Sequence, residues 1–114
     1  MKAWWFSADH VLPNGDGRAI KIGETHHVDG NIVLCSNGLH GSVKPLDALS
    51  YATGSLVWRV ELFGTVVKDS DKAVASDRRY LAGGIDVVDV LRRFARLCAL
   101  DVIDKWAEIG RVHV

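Results

Sequence analysis

Apolar and polar positions change their period several times along this chain, and each change marks a new element. Residues 2–6 are continuously apolar and aromatic, which predicts a short first strand. Pro13 and the Asn14-Gly15-Asp16-Gly17 run predict a loop over His10–Arg18. Ala19–Ile22 and Ile32–Leu34 read as two strands joined by a loop that carries His26, His27 and the Asp29-Gly30 hairpin signal.

The middle of the chain is organised around a Gly38-Leu39-His40-Gly41-Ser42 turn with a helix behind it over Pro45–Thr53. Pro45 suits the first helical turn, where its missing N–H costs nothing, and Asp47 sits near the positive end of the helix dipole. Leu46, Leu49 and the Tyr51/Ala52 edge form the apolar side, and Gly54 is a candidate stop. The clearest strand follows: Trp58, Val60 and Leu62 point one way, Arg59 and Glu61 the other. Gly64 predicts a bend, bulge or tight turn before Thr65–Val67. Asp86 then opens the longest helix. Val87, Leu91, Phe94, Cys98, Val102 and Trp106 recur at steps of three and four, widened by Val90, Leu97 and Ile103, the stripe of a core-packing helix. Asp89 with Arg93, and Asp101 with Lys105, are supporting pairs four apart. The predicted class is α+β: a small antiparallel or mixed sheet, a short central helix and a long C-terminal helix packed on the sheet.

Composition narrows the function classes. The 114 residues suit one domain over 1–114, and 48% hydrophobic with 25% charged residues is an ordinary globular balance. Lys plus Arg number 14, as do Asp plus Glu, so the formal net charge is zero. That argues against direct nucleic-acid binding, which usually needs a basic excess. No stretch has the length and apolarity of a bilayer span, and the opening residues lack a signal-peptide pattern, so a cytoplasmic protein is expected. Cys35 and Cys98 share no metal-ligand spacing and read as two buried thiols of a reducing compartment.

No complete catalytic or metal motif emerges, and no cofactor is expected. His26-His27 beside Glu24 and Asp29 lacks the further ligands a metal site needs and reads as a solvated loop. The serines have no nucleophile-elbow context, and Gly15/Gly17 and Gly83/Gly84 match no phosphate loop. Arg78, Arg79, Arg92, Arg93 and Arg96 could form an anion-binding patch, although Asp77, Asp86 and Asp89 are interleaved with them. Trp58 and Trp106 fall on predicted core faces, whereas Trp4 and Trp5 must face opposite ways, so one of them is a candidate interface anchor. His40, between two glycines and just before a helix, is either a packed structural residue or part of a pocket.

Cys35-Ser-Asn-Gly38-Leu39-His40-Gly41-Ser42, with Pro45-Leu46-Asp47-Ala48 and Tyr51, resembles a family of uncharacterised phage and prophage proteins. Their pattern is a Cys, then Gly-Phe-His-Ala, then Asn-Pro-Leu-Asp and one or two tyrosines; here Leu39 and Gly41 replace the Phe and Ala. The likeness covers most of residues 1–82. The Arg93-Phe94-Ala95 to Ala99-Leu100-Asp101-Val102 segment is similar to longer relatives sometimes labelled immunity proteins. Residues 38–64 also resemble the second conserved block of ADP-ribosyltransferase folds, where a glycine turn and a Ser- and Tyr-containing helix line the nicotinamide pocket. That resemblance implies His40, Ser42 and Tyr51 as pocket residues. The first strand lacks the His or Arg that would grip the dinucleotide, however. None of the three glutamates, Glu24, Glu61 and Glu108, lies in the expected late strand, with Asp71 a short substitute.

The resemblances imply a non-enzymatic accessory interaction protein that inhibits a host defence complex, such as a CRISPR effector, by occluding a surface. Trp4, Trp5 and the arginines would be its contacts, and its partner would be a host protein complex. The alternatives are an ADP-ribosyltransferase-like NAD-binding enzyme or module, and an immunity or antitoxin protein.

Overall fold

A computed structural model describes the backbone of residues 1–113 and the side chains as far as residue 107. Glu108, one of the glutamates weighed above, lies outside the described side chains. The elements run β1 (Lys2–Ser7), β2 (Thr25–His27), β3 (Leu39–Gly41), α1 (Pro45–Ser50), β4 (Leu56–Lys68), β5 (Ala73–Asp86) and α2 (Val88–His113). The class is α+β, with one five-stranded antiparallel sheet.

The β4–β5 hairpin is the backbone of the fold. Trp58, Val60 and Leu62 alternate inward on β4 and are buried, as the period-2 pattern requires. Opposite them β5 contributes Tyr80, Ala75 and Ala73 to the same core, with Val60 facing Tyr80 and Leu62 facing Arg78 in register. The expected irregularity at Gly64 is a bulge between Phe63 and Val66. Gly64 has φ 77°, and a Cβ there would lie 2.2 Å from Ser76 Oγ, so glycine is needed both for the turn of the backbone and for room.

β1 pairs with β4 along one edge, while β2 and β3 share the far edge of β5. The sheet then curls back on itself. Trp4 and Ser42 exchange two backbone hydrogen bonds, of 2.7 and 2.9 Å, which link the free edge of β1 to the residue after β3. The interior of this partly closed barrel holds Ala3, Leu39, Trp58, Val60, Leu62 and Tyr80, sealed by Leu12 and Ile20 from the first loop.

Several sequence expectations fail for identifiable reasons. The strands expected at Ala19–Ile22 and Ile32–Leu34 make only isolated bridges, Val11 with Ala19 and Val33 with Asn37. The ladder instead uses the histidine pair at 25–27 and the glycine-flanked 39–41, because those segments lie against β5. The whole of β5 goes unforeseen: Ala73, Ala75 and the buried Arg78 blur the alternation that marks a strand. α1 ends at Ser50 rather than Thr53, with Tyr51 as its C-cap, and it buries Ala48 while Leu46 is exposed. Gly54 is not the helix stop; its Cβ would lie 2.2 Å from the backbone of Ala8, a close crossing that only glycine permits. Cys35 and Cys98 are exposed thiols, not buried ones.

The largest departure is α2. Asp86 does open it, accepting hydrogen bonds from the Val88 N–H (3.0 Å) and the Ser55 hydroxyl (2.7 Å). Both contacts hold its carboxyl below the usual range, the serine bond most. Beyond Leu91, however, the helix does not pack on the sheet: Phe94, Leu97, Leu100, Val102 and Ile103 are all exposed, and Trp106 is 70% exposed. The chain measures 62 Å in its longest dimension and 26 Å in the next, as a projecting helix requires. Among the described residues, no helix is long and apolar enough to cross a membrane.

Candidate functional site

β1, β3 and α1 enclose a cavity of about 220 Å³ between them. Trp4, Trp5 and Phe6 give it aromatic walls, and His40, Ser42, Tyr51, Cys35 and Lys72 bring polar atoms to it. The chain therefore gathers His40, Ser42 and Tyr51 at one place. The Trp4–Ser42 bridge fixes β3 beside β1, and α1 carries Tyr51 across the opening.

His40 is half-buried. Burial, then the charges of Arg78 and Lys72, push its pKa below the ordinary value, so the ring is neutral at pH 7. Its Nε2 accepts the Cys35 N–H at 3.3 Å, which leaves the proton on Nδ1 as a donor. Tyr51 donates its hydroxyl to Asp71, and that contact raises its pKa. Lys72 lies over the Tyr51 ring, 4.7 Å from its centroid, and donates to Cys35 Sγ at 2.8 Å. The thiol, more than any other neighbour, holds the Lys72 ammonium in its charged form. Cys35 itself sits in the left-handed region, φ 63°, which turns the chain into this contact.

A second cavity, of about 310 Å³, shares Trp5, Cys35 and His40 with the first and is lined by Asn14, Asp16, Ser36, Asn37 and Arg78, the Asp16 carboxylate being paired with Arg18. Arg78 is the unusual member. It is 2% exposed, yet no carboxylate pairs with it among the described residues. Its guanidinium stacks 3.7 Å from the Trp5 ring centroid and donates to the Tyr80 hydroxyl (3.1 Å) and the His40 carbonyl (2.8 Å). Burial lowers its pKa, although an arginine keeps its charge in proteins. The Tyr80 hydroxyl also bonds His26 Nδ1 at 2.8 Å, and His26 Nε2 reaches the Ala19 carbonyl at 2.9 Å. His26 is thus a buried member of the core network, not part of a solvated loop. His27 alone is exposed, between Asp77 and Asp29 at 2.9 Å each.

The arginines weighed as an anion-binding patch lie apart. Arg78 is inside the core, Arg79 is exposed on the opposite face of β5, and Arg92, Arg93 and Arg96 ride on α2. Trp4 and Trp5 are both half-buried and both line the first cavity. Trp4 lies under Arg59, 4.6 Å from its ring centroid, and Trp5 under Arg78. Lys72 and Arg78 lie far from His40 in the sequence and reach it through the β3–β5 pairing, whereas Cys35 precedes it in the loop leading into β3 and donates its N–H to His40 Nε2. No His/Cys/Asp/Glu group capable of holding a metal occurs among the described residues.

A family profile described as a domain of unknown function, DUF7666, matches residues 13–93. The chain belongs to that family. No curated protein and no solved structure matches it. The DUF7666 region contains every cavity residue named above except those of β1, and it stops early in α2. β1 therefore supplies an aromatic wall from outside the matched span.

Proposed function

We propose that this domain binds a small planar ligand bearing an anionic group, of the nucleotide class. The observation that carries this reading is Arg78, a buried cation with no carboxylate partner among the described residues, which lines the second cavity beside Trp5, a residue that both cavities share. Burying a charge is costly unless something compensates it. Trp5 and two neutral hydrogen-bond acceptors compensate it here in part, and an incoming phosphate or carboxylate would complete the set. Trp4 and Trp5 offer surfaces for a flat ring, and the Nδ1–H of neutral His40 and the Lys72 ammonium offer further donors. No carboxylate orients the His40 ring among the described residues, so the arrangement supports recognition more than proton transfer.

The test is a thermal-shift series with NAD, AMP and inorganic phosphate at millimolar concentration. A ligand at one hundred times its Kd stabilises by about 2.7 kcal/mol, or roughly 10 °C for a domain of this size. A rise with AMP or NAD that phosphate alone does not match supports the reading. No rise with any of the three overturns it.

A second reading keeps the interaction protein: a phage-type accessory factor that occludes a surface of a host defence complex. Arg59 stacked on half-buried Trp4 favours it, since arginine and tryptophan are the residue types that anchor interfaces. Co-elution with a purified CRISPR effector, lost in Arg59→Ala, would support it, and separate elution would overturn it.

A further inference from the structure

We propose that α2 pairs antiparallel with α2 of a second copy of this chain, about a two-fold axis between Cys98 and Ala99. The starting observation is the exposure of Phe94, Leu97, Leu100, Val102, Ile103 and Trp106 on a helix that leaves its own sheet uncovered by it. A helix with this much apolar surface needs a partner.

The sequence of the helix says which partner. Read outward from the Cys98–Ala99 junction, the order of apolar and polar residues is the same in both directions. Leu97 mirrors Leu100, Ala95 mirrors Val102, Phe94 mirrors Ile103, and Leu91 mirrors Trp106. The polar positions mirror as well: Arg96 with Asp101, Arg93 with Asp104, and Arg92 with Lys105. The match continues in the sequence over 88–109. In an antiparallel pair centred on that junction, each residue lies at the height of its mirror mate on the other copy. On the face that carries Leu91, Ala95, Cys98, Val102 and Trp106, the palindrome sets Leu91 against Trp106 and Ala95 against Val102, while Leu97 and Leu100 lie on the far side of the helix. Packing on a sheet or on an unrelated protein asks for no such symmetry, whereas a self-complementary two-fold interface does.

Face and charge agree with this. Leu91, Ala95, Cys98, Val102 and Trp106 follow one another at steps of four, three, four and four along one side of the helix. The small residues Ala95, Cys98 and Ala99 lie at its centre, where two backbones would come closest. Residues 91–98 carry Arg92, Arg93 and Arg96 and no acid, a charge of +3; residues 99–106 carry Asp101, Asp104 and Lys105, a charge of 1 − 2 = −1. Both stretches lie inside α2, away from its first turn, where Asp89 already suits the helix dipole. Antiparallel pairing lays the basic half of one helix along the acidic half of the other, whereas parallel pairing would set three arginines beside three.

The test uses the full chain. Light scattering at about 100 µM should give about twice the 12.5 kDa chain mass. Ala95→Asp or Val102→Asp should return it to one chain mass, with an unfolding transition of the domain still present. Orientation is read in a Cys35→Ala, Cys98→Ala background by copper-phenanthroline oxidation. Leu91→Cys mixed with Trp106→Cys should form a disulfide-linked dimer at least tenfold faster than either variant alone. A single-chain mass for the unsubstituted protein, or fast self-linking of Leu91→Cys alone, would overturn the proposal.

Discussion

Trp58 and Trp106 occupy equivalent positions in the sequence pattern, each on the apolar stripe of a well-defined element, and they end in opposite surroundings. Trp58 is 2% exposed, its indole N–H donating to Ser7 Oγ at 2.8 Å and its ring edge-on to Tyr80. Trp106 is 70% exposed. The barrel covers its own apolar face and satisfies its interior polar groups: no buried side-chain nitrogen or oxygen among the described residues lacks a partner. The helix does neither for its stripe. Periodicity names the face of an element that must be covered, and it is silent on whether the cover comes from the same chain.

The largest effect separates the two tryptophans directly. Trp58→Ala should cost the domain about 3–5 kcal/mol. Trp106→Ala, measured by denaturant unfolding at a dilution where the chain is monomeric, should stay within about 0.5 kcal/mol. Equal losses would mean that α2 packs on the barrel after all. A smaller effect tests whether the barrel's interior is complete without a ligand. Arg78→Met keeps the bulk and removes the charge, leaving the His40 carbonyl without its donor, at a cost of about 1–2 kcal/mol. It should also abolish any nucleotide-induced thermal shift. A cost above about 4 kcal/mol would make the guanidinium a structural member of the core rather than a waiting contact.

The smallest effect is on pH. Burial lowers the pKa of His26 and of His40, so above about pH 6.5 both are neutral whether folded or unfolded. Below that pH the unfolded chain takes up protons that the barrel refuses, and stability falls. His27 works against this trend, because its bonds to Asp77 and Asp29 raise its pKa and stabilise the folded chain on the acid side. Tm should fall between pH 7.5 and 5.5, and more steeply in His27→Gln. A rise on acidification would show the exposed histidine outweighing the two inner ones.

Legibility in the sequence followed the same division. β1, the alternation of β4, the bulge at Gly64, the start of α1 at Pro45 and the existence of α2 were all written in local periodicity and glycine or proline placement. The partnership of His40, Ser42 and Tyr51 was legible from resemblance alone. β5 was not legible, because a buried arginine and three small alanines carry little of a strand's alternation. For the same reason Arg78 reads in the sequence as a surface charge, whereas the β3–β5 register brings it to the second cavity and Lys72 to the first, on either side of His40.

The Trp4–Ser42 bridge also sets an order of assembly. The β4–β5 hairpin closes over a short turn in which the Asp69 N–H bonds the Lys72 carbonyl at 2.8 Å, a contact between near neighbours in the chain. The β1–β4 pairing, by comparison, joins residues from 56 − 7 = 49 to 61 − 2 = 59 apart in the chain, and the Trp4–Ser42 bridge joins residues 42 − 4 = 38 apart. Such distant closures follow the hairpin because of their loop entropy. The Trp4 and Ser42 amides are therefore expected to gain protection together, and after those of the β4–β5 hairpin, in pulse-labelled hydrogen exchange. Until that clasp shuts, the aromatic wall of the cavity is absent, so the cavity is younger than the hairpin that supports it.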